Sequence, residues 1–183
     1  RALLNSLMIA FLTTVCCLLI SILGSYAMTR LKYPGRRFFK TSIIFSYLIP
    51  TAVLFVPMYV FVSKLGFYDN KWALLIIYPT TVVPYCCYML MSYFKAIPYA
   101  LEEAALIDGC TRMKSLRYII TPIALPGIAV VATFAFTMSW NEYLYAMIMT
   151  TSPAQQTAVV AISSFKYADS AIWGRIMAAS VLT

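Results

Sequence analysis

An all-α, polytopic membrane-spanning fold follows from three features of this sequence. Hydrophobic residues make up 62% of the 183 residues and charged residues only 11%, with a mean hydropathy of +0.82. A soluble domain carries roughly a quarter charged residues, so this is not a water-soluble core. Uncharged stretches cover residues 2–29, 41–63, 72–94 and 118–141, each longer than the ~20 residues a helix needs to cross the hydrocarbon of a bilayer. Between the last two lies a polar, punctuated module, KAIPYALEEAALIDGCTRMKSLRYIITPIALPG, at residues 95–127. The sequence therefore predicts four full spans, a fifth partial one at 172–183, and a helix outside the membrane within 95–117.

The first span, 5–28, carries Ser21, Gly24, Ser25 and Ala27 near one end. Small residues at that spacing let helix backbones approach closely, which assigns this face to another helix rather than to lipid. A basic turn follows, with Pro34-Gly35 at its centre. The second span contains Pro50 and Pro57 and the third Pro79 and Pro84; each proline removes a backbone donor and is expected to kink or break its helix. Two broken helices in succession point to a cavity or gate, or equally to static kinks that improve packing. A short turn with Gly66, Asp69 and Asn70 joins these spans. The fourth, 118–140, is expected to start irregularly at Pro122 and Pro126-Gly127 and to end in Trp140-Asn141-Glu142-Tyr143. Trp140, Tyr143 and Tyr145 are read as an interfacial aromatic belt. Residues 143–165 are uncharged too, but 150–157 is too polar for lipid, so 143–173 is taken as an extramembrane segment, re-entrant at its start.

The excess of 14 Lys and Arg over 6 Asp and Glu works as a topology signal rather than as a nucleic-acid surface. Arg30, Lys32, Arg36, Arg37, Lys40, Lys95, Arg112, Lys114 and Arg117 fall on one side of the membrane, against Arg1, Lys64, Lys71, Lys166 and Arg175 on the other. The positive-inside rule places the 30–40 turn and the 95–117 module in the cytoplasm.

Catalytic chemistry is missing. The chain has no histidine, no GxxxxGK[ST] phosphate loop and no zinc-ligand spacing among its five cysteines, Cys16, Cys17, Cys86, Cys87 and Cys110. The cysteines read as small apolar packing residues. Glu102 and Glu103 are adjacent on a helix and point about 100° apart, so they cannot converge on one substrate as acid and base. No ionisable residue lies inside any full span, whereas proton-coupled transporters and voltage sensors generally need one there. Energy is expected to arrive mechanically through a contact with another subunit. Sodium coupling through carbonyl and hydroxyl ligands stays open as an alternative.

The module suits such a contact. Pro98 is placed to open a helix and Gly109 to stop it. Leu101, Ala104, Ala105 and Asp108 follow i, i+3, i+4, i+7 spacing and are expected to share one docking face, with Glu102 and Glu103 flanking it to pair with basic residues of a partner.

The run Leu101-Glu102-Glu103-Ala104-Ala105-Leu106-Ile107-Asp108-Gly109, followed by Ile119-Ile120-Thr121-Pro122, resembles the "EAA" loop of binding-protein-dependent ABC importer permeases. Thr121 stands where the family has leucine, and Cys110 where a small alanine is usual. The segment from Trp140 to Ala146 is similar to one common in the carbohydrate branch, the maltose-permease type. The resemblance covers essentially the whole chain, 1–183, as one transmembrane domain, a piece lacking the family's first helix and C-terminal end. It implies a bacterial inner-membrane subunit that is not an enzyme and holds no cofactor, ATP and magnesium being bound by a partner ATPase. Glu102, Glu103, Ala104, Ala105, Asp108 and Gly109 would then dock on the nucleotide-binding subunits. A second, homologous permease subunit would complete the pore, and an extracytoplasmic solute-binding protein would deliver a sugar or oligosaccharide. Candidate translocation-path residues are Pro50, Pro57, Tyr85, Tyr88, Asn141 and Glu142. The competing readings are import of a non-sugar solute, a secondary transporter or channel without an ATPase, and a scaffold subunit.

Overall fold

Every regular element is helical among the described residues of the computed structural model, 1–164 and 173–181. Helix α1 runs unbroken over Ala2–Arg30, 29 residues. A Pro34-Gly35 turn, with Gly35 at a left-handed φ of 83°, leads into α2, Arg36–Leu48. The helix then stops. Ile49 and Pro50 are extended, and α3, Thr51–Lys64, begins after them. A residue before proline avoids the helical region, so Pro50 breaks the second stretch as expected.

Pro57, Pro79 and Pro84 do not break their helices. Pro57 sits inside α3. A short 3₁₀ turn, Lys71–Ala73, precedes α4, Leu74–Ala96, which continues through both of its prolines for 23 residues. A single proline deletes one ladder bond, and packing on both sides of it holds the helix together. Tyr78, Val82, Cys86 and Leu90 are all buried around these positions.

The fourth stretch bends more than the sequence suggested. Helix α5 spans Tyr99–Ile107 and α6 Arg112–Ser115; a π-helical turn, Leu116–Ile120, leads to α7, Thr121–Ile123. Helix α8, Leu125–Trp140, sets off at 80° to the segment before it. Pro126 explains the break, because it offers no amide to the carbonyl of Pro122 and its ring belongs in a first helical turn.

The residues read as an extramembrane segment contain α9, Leu144–Met149, and α10, Ala158–Ser164. Between them 150–157 is non-helical, so nothing spans there. Helix α11, Trp173–Val181, occupies the expected partial span. Lys166, Ile172 and Thr183, used in the topology and the last span, lie outside the described residues. Among the described residues two helices, Ala2–Arg30 and Lys71–Ala96, are long and apolar enough to cross a membrane; counting each broken pair as one span gives four.

The chain forms two compact units. One comprises residues 1–14, 50–80 and 136–183. Its core holds Ile9, Val62, Leu74, Ile77, Tyr78, Tyr145, Met149 and Val160. Tyr145 is 3% exposed and donates its hydroxyl to Thr51 O at 3.2 Å, so it is a core residue and not part of an aromatic belt. In the same unit Asn5 clasps the 150–157 segment, donating to Ala154 O and Gln156 O, each at 3.0 Å, while Lys71 Nζ donates to its Oδ1 at 2.9 Å.

The other unit comprises 15–49 and 81–135, with a core of Cys17, Tyr26, Val82, Cys86, Leu90, Phe94, Leu116, Ile120 and Val131. Here the small residues of α1 meet α4. Ser25 Oγ donates to Cys87 O at 3.1 Å and Ser21 Oγ to Val83 O at 3.4 Å.

Candidate functional site

The 95–117 module lies wholly in the second unit, and its first helix is closed at both ends. Pro98, at φ −57°, precedes α5 and needs no amide partner. At the other end Gly109 adopts φ 83°. Cys110 N–H donates to Ala105 O at 2.9 Å and Gly109 N–H to Leu106 O at 3.1 Å. Together these bonds form a Schellman stop, which satisfies carbonyls the helix end would leave bare. Thr111 then caps α6, its side chain accepting from Lys114 N–H at 3.3 Å.

Burial divides α5 differently from the sequence expectation. Leu101, Glu103, Ala104, Ile107 and Asp108 are exposed, as is Gly109 beyond the helix. Ala105, expected on the docking face, is 4% exposed and faces the core, while Ala100, Ala104 and Ile107 share an exposed face. Glu102, expected on a charged outer face, is 2% exposed.

Glu102 is the centre of a buried polar network. Tyr26 donates its hydroxyl to Glu102 Oε1 at 2.6 Å, and Arg112 Nη1 donates to the same oxygen at 2.9 Å. Arg30 Nε stands 3.9 Å from Oε2. Arg30 itself is fully buried at its side chain; it donates to Phe94 O, and to Ile97 O at 2.6 Å, with its guanidinium 4.1 Å from the centre of the Tyr99 ring. Tyr99 donates to Thr29 O at 2.7 Å, and Arg36 to Met28 O at 2.8 Å and Thr29 O at 2.7 Å. Two carbonyls at the end of α1, those of Met28 and Thr29, thus go to side chains of the basic turn and the module. A cavity of about 850 Å³ opens beside this network, lined by Lys32, Tyr33, Arg36, Glu103 and Arg112 among others.

Tyr26 was not singled out from the sequence, and Arg30 and Arg112 were read only as topology signals. One signal was available: Tyr26 and Arg30 are four residues apart, which puts both on one face at the end of α1.

The candidate path residues are divided between the two units. Pro50 and Pro57 are exposed in the first unit. Tyr85, in the second, packs its ring against Tyr47 at 5.7 Å and Phe134 at 5.9 Å, and Tyr88 is 46% exposed. Asn141 donates to Thr137 O at 2.9 Å, closing the end of α8. Glu142 accepts from the N–H groups of Tyr145 at 3.1 Å and Ala146 at 3.2 Å, and so caps α9. Burial pushes its carboxyl above the ordinary carboxylate range, with the amide bonds pulling against that rise.

The family described as "binding-protein-dependent transport system inner membrane component" matches residues 20–183. The chain belongs to that family. It is accordingly an inner-membrane transport component and not a catalytic enzyme. Among curated relatives it is 36% identical to the inner membrane ABC transporter permease protein YcjP of Escherichia coli, over 98% of this chain and 64% of the relative. It is 36% identical to the sulfoquinovosyl glycerol transport system permease protein SmoH of Agrobacterium fabrum, over 97% of this chain and 62% of the relative. The trehalose/maltose transport system permease protein MalG of Thermococcus litoralis is 35% identical, over 98% and 65% respectively. The chain thus spans under two thirds of the length of these relatives. The crystal structure of a bacterial ABC transporter involved in import of the acidic polysaccharide alginate shares the fold. Its TM-score is 0.80 at 24% identity, over 89% of this chain and 57% of that one.

Proposed function

We propose that this chain is the membrane permease of an ATP-driven importer that moves a sugar or oligosaccharide inward from a solute-binding protein. A separate nucleotide-binding subunit hydrolyses ATP and seats α5, and a second, homologous permease completes the pathway. The observation that carries this reading is the outer face of α5. Ile107, a large apolar side chain, is 85% exposed beside Glu103, Ala104 and Asp108 on the polar module. Such a side chain on a water-facing helix is what a partner's groove covers. The two alanines at 100 and 104 keep that face thin, and the Schellman stop fixes where it ends. Membership of the binding-protein-dependent family supports an ATPase and a binding protein as partners, and the names of the relatives support a carbohydrate as cargo.

The test is uptake by proteoliposomes holding the full-length permeases, the ATPase and the binding protein. Gly109→Asp and Glu103→Lys should each abolish ATP-driven uptake while the helices stay inserted. A side chain at Gly109 meets no atom within 4 Å, but the left-handed φ of 83° strains it, so Glu103→Lys, at an exposed position, reports on the partner more directly. Undiminished uptake in both variants would sink the assignment. Ligand screening of the cognate binding protein identifies the cargo.

A further inference from the structure

We infer that Glu102 is a positioning residue, an internal latch that makes α5 move as one body with the inner end of α1. This rests on the reading of α5 as the ATPase-docking helix. A partner pushing on Ala104 and Ile107 loads α5, and besides the bond from half-exposed Tyr99 to Thr29 O at 2.7 Å two routes connect it to the rest of its unit. One is the chain itself, through the Gly109 stop, α6 and the π-helical turn. The other is Glu102, whose Oε1 takes hydrogen bonds from Tyr26 of α1 and Arg112 of α6.

The second route is the stiffer one. Hydrogen bonds to a carboxylate from a phenol at 2.6 Å and a guanidinium at 2.9 Å are short and charge-assisted. They lie where Glu102 is 2% exposed, so water does not compete for the acceptor. Arg30 extends the latch to α4 by donating to Phe94 O and Ile97 O. Its Nε and Nη1, like Glu102 Oε2, accept or donate no hydrogen bond among the described residues. The two groups face each other at 3.9 Å and are held by charge. If the carboxylate is neutralised, Arg30 is left buried without its counter-ion, and α5 keeps only the Tyr99 contacts to the first span while its outer face stays intact.

The experiment uses the complete transporter in proteoliposomes and reads molecules imported per ATP hydrolysed, a ratio that loss of folded protein does not change. Copurification of the ATPase is measured alongside. Glu102→Gln should retain the ATPase while the ratio falls about tenfold. Tyr26→Phe, which removes one hydrogen bond and leaves the ion pairs, should lower it about threefold. The double variant should be no worse than Glu102→Gln alone, and Glu102→Asp should recover part of the loss. An unchanged ratio in Glu102→Gln overturns the latch, as does a loss of ATPase copurification in parallel with uptake. Should Glu102→Gln not insert, Tyr26→Phe decides, and an unchanged ratio there overturns the inference. Absence of ATP-dependent uptake in the unmutated transporter would instead refute the docking reading beneath it.

Discussion

At Gly127 one absent methyl group sets how closely α8 approaches α4. A Cβ built there would lie 2.5 Å from both Cγ and Cδ1 of Tyr93. Those atoms are at the root of the ring, so the ring cannot swing clear without leaving its rotamer. Gly24 of α1 looks equivalent in sequence, a glycine on a packed helix, yet its Cβ would meet Cys87 Sγ at an ordinary 3.6 Å. Gly127→Ala should therefore destabilise the protein by about 1–3 kcal/mol through overpacking. Gly24→Ala should be neutral or slightly stabilising, since alanine is the better helix former. Thermal unfolding of the two variants in one detergent checks this, and equal melting temperatures would refute the distinction. Nothing local in the sequence separates the two glycines. Tyr93 lies 34 positions from Gly127, and only packing brings its ring there. The same holds for Glu102 and Glu103. Both belong to one acidic pair on one helix, and which of them turns inward depends on Tyr26 and Arg30, more than 70 positions away.

The elements were legible where the chain punctuates itself. Gly109 stops α5, Pro50 separates α2 from α3, and the serines of α1 bond to carbonyls of α4. They were not legible where two rules compete. Pro79 and Pro84 sit in a helix buried enough to absorb them, whereas Pro126, four positions after Pro122, turns the chain by 80°. The 143–165 stretch shows the same competition. Its polar middle excludes a span, yet α9 forms, nucleated by a cap at Glu142. That cap makes a pH prediction. Because burial raises the folded-state pKa of Glu142 above its ordinary value of 4.5, the folded state binds this proton more tightly than the unfolded one. The stabilisation from this group is complete below that value and is lost as pH rises through the raised pKa. Glu142→Gln mimics the protonated carboxyl at every pH. Its melting temperature relative to the unmodified protein should therefore climb as pH increases from about 4.5 towards neutral. A difference that stays flat from pH 4 to pH 8 would show that the carboxyl titrates alike in both states.

For the whole molecule, the distribution of charge restricts how transport can be driven. Residues 5–28, 41–63, 72–94 and 118–140 contain no Asp, Glu, Lys or Arg. The buried carboxylate of the module, Glu102, is neutralised by Arg30 at the end of α1 and by Arg112 of α6. A proton-coupled carrier needs a membrane-depth group that gains and loses charge during the cycle; these stretches supply none. Sodium coupling needs a cluster of oxygen ligands at unwound helix ends. Helices α1 and α4 run without interruption, and the breaks at Ile49-Pro50 and at residues 123–125 carry no acidic side chain. The drive proposed above, through α5 by an ATP-hydrolysing partner, accords with both facts. In proteoliposomes with ATP and the ATPase on the face of α5 and the binding protein on the opposite face, collapsing the proton and sodium gradients with ionophores should leave the initial uptake rate unchanged. Withdrawing ATP should abolish it with both gradients imposed. Uptake that survives ATP withdrawal but fails with either ionophore would make the chain a secondary carrier, and would strip α5 of its role as the point where force enters.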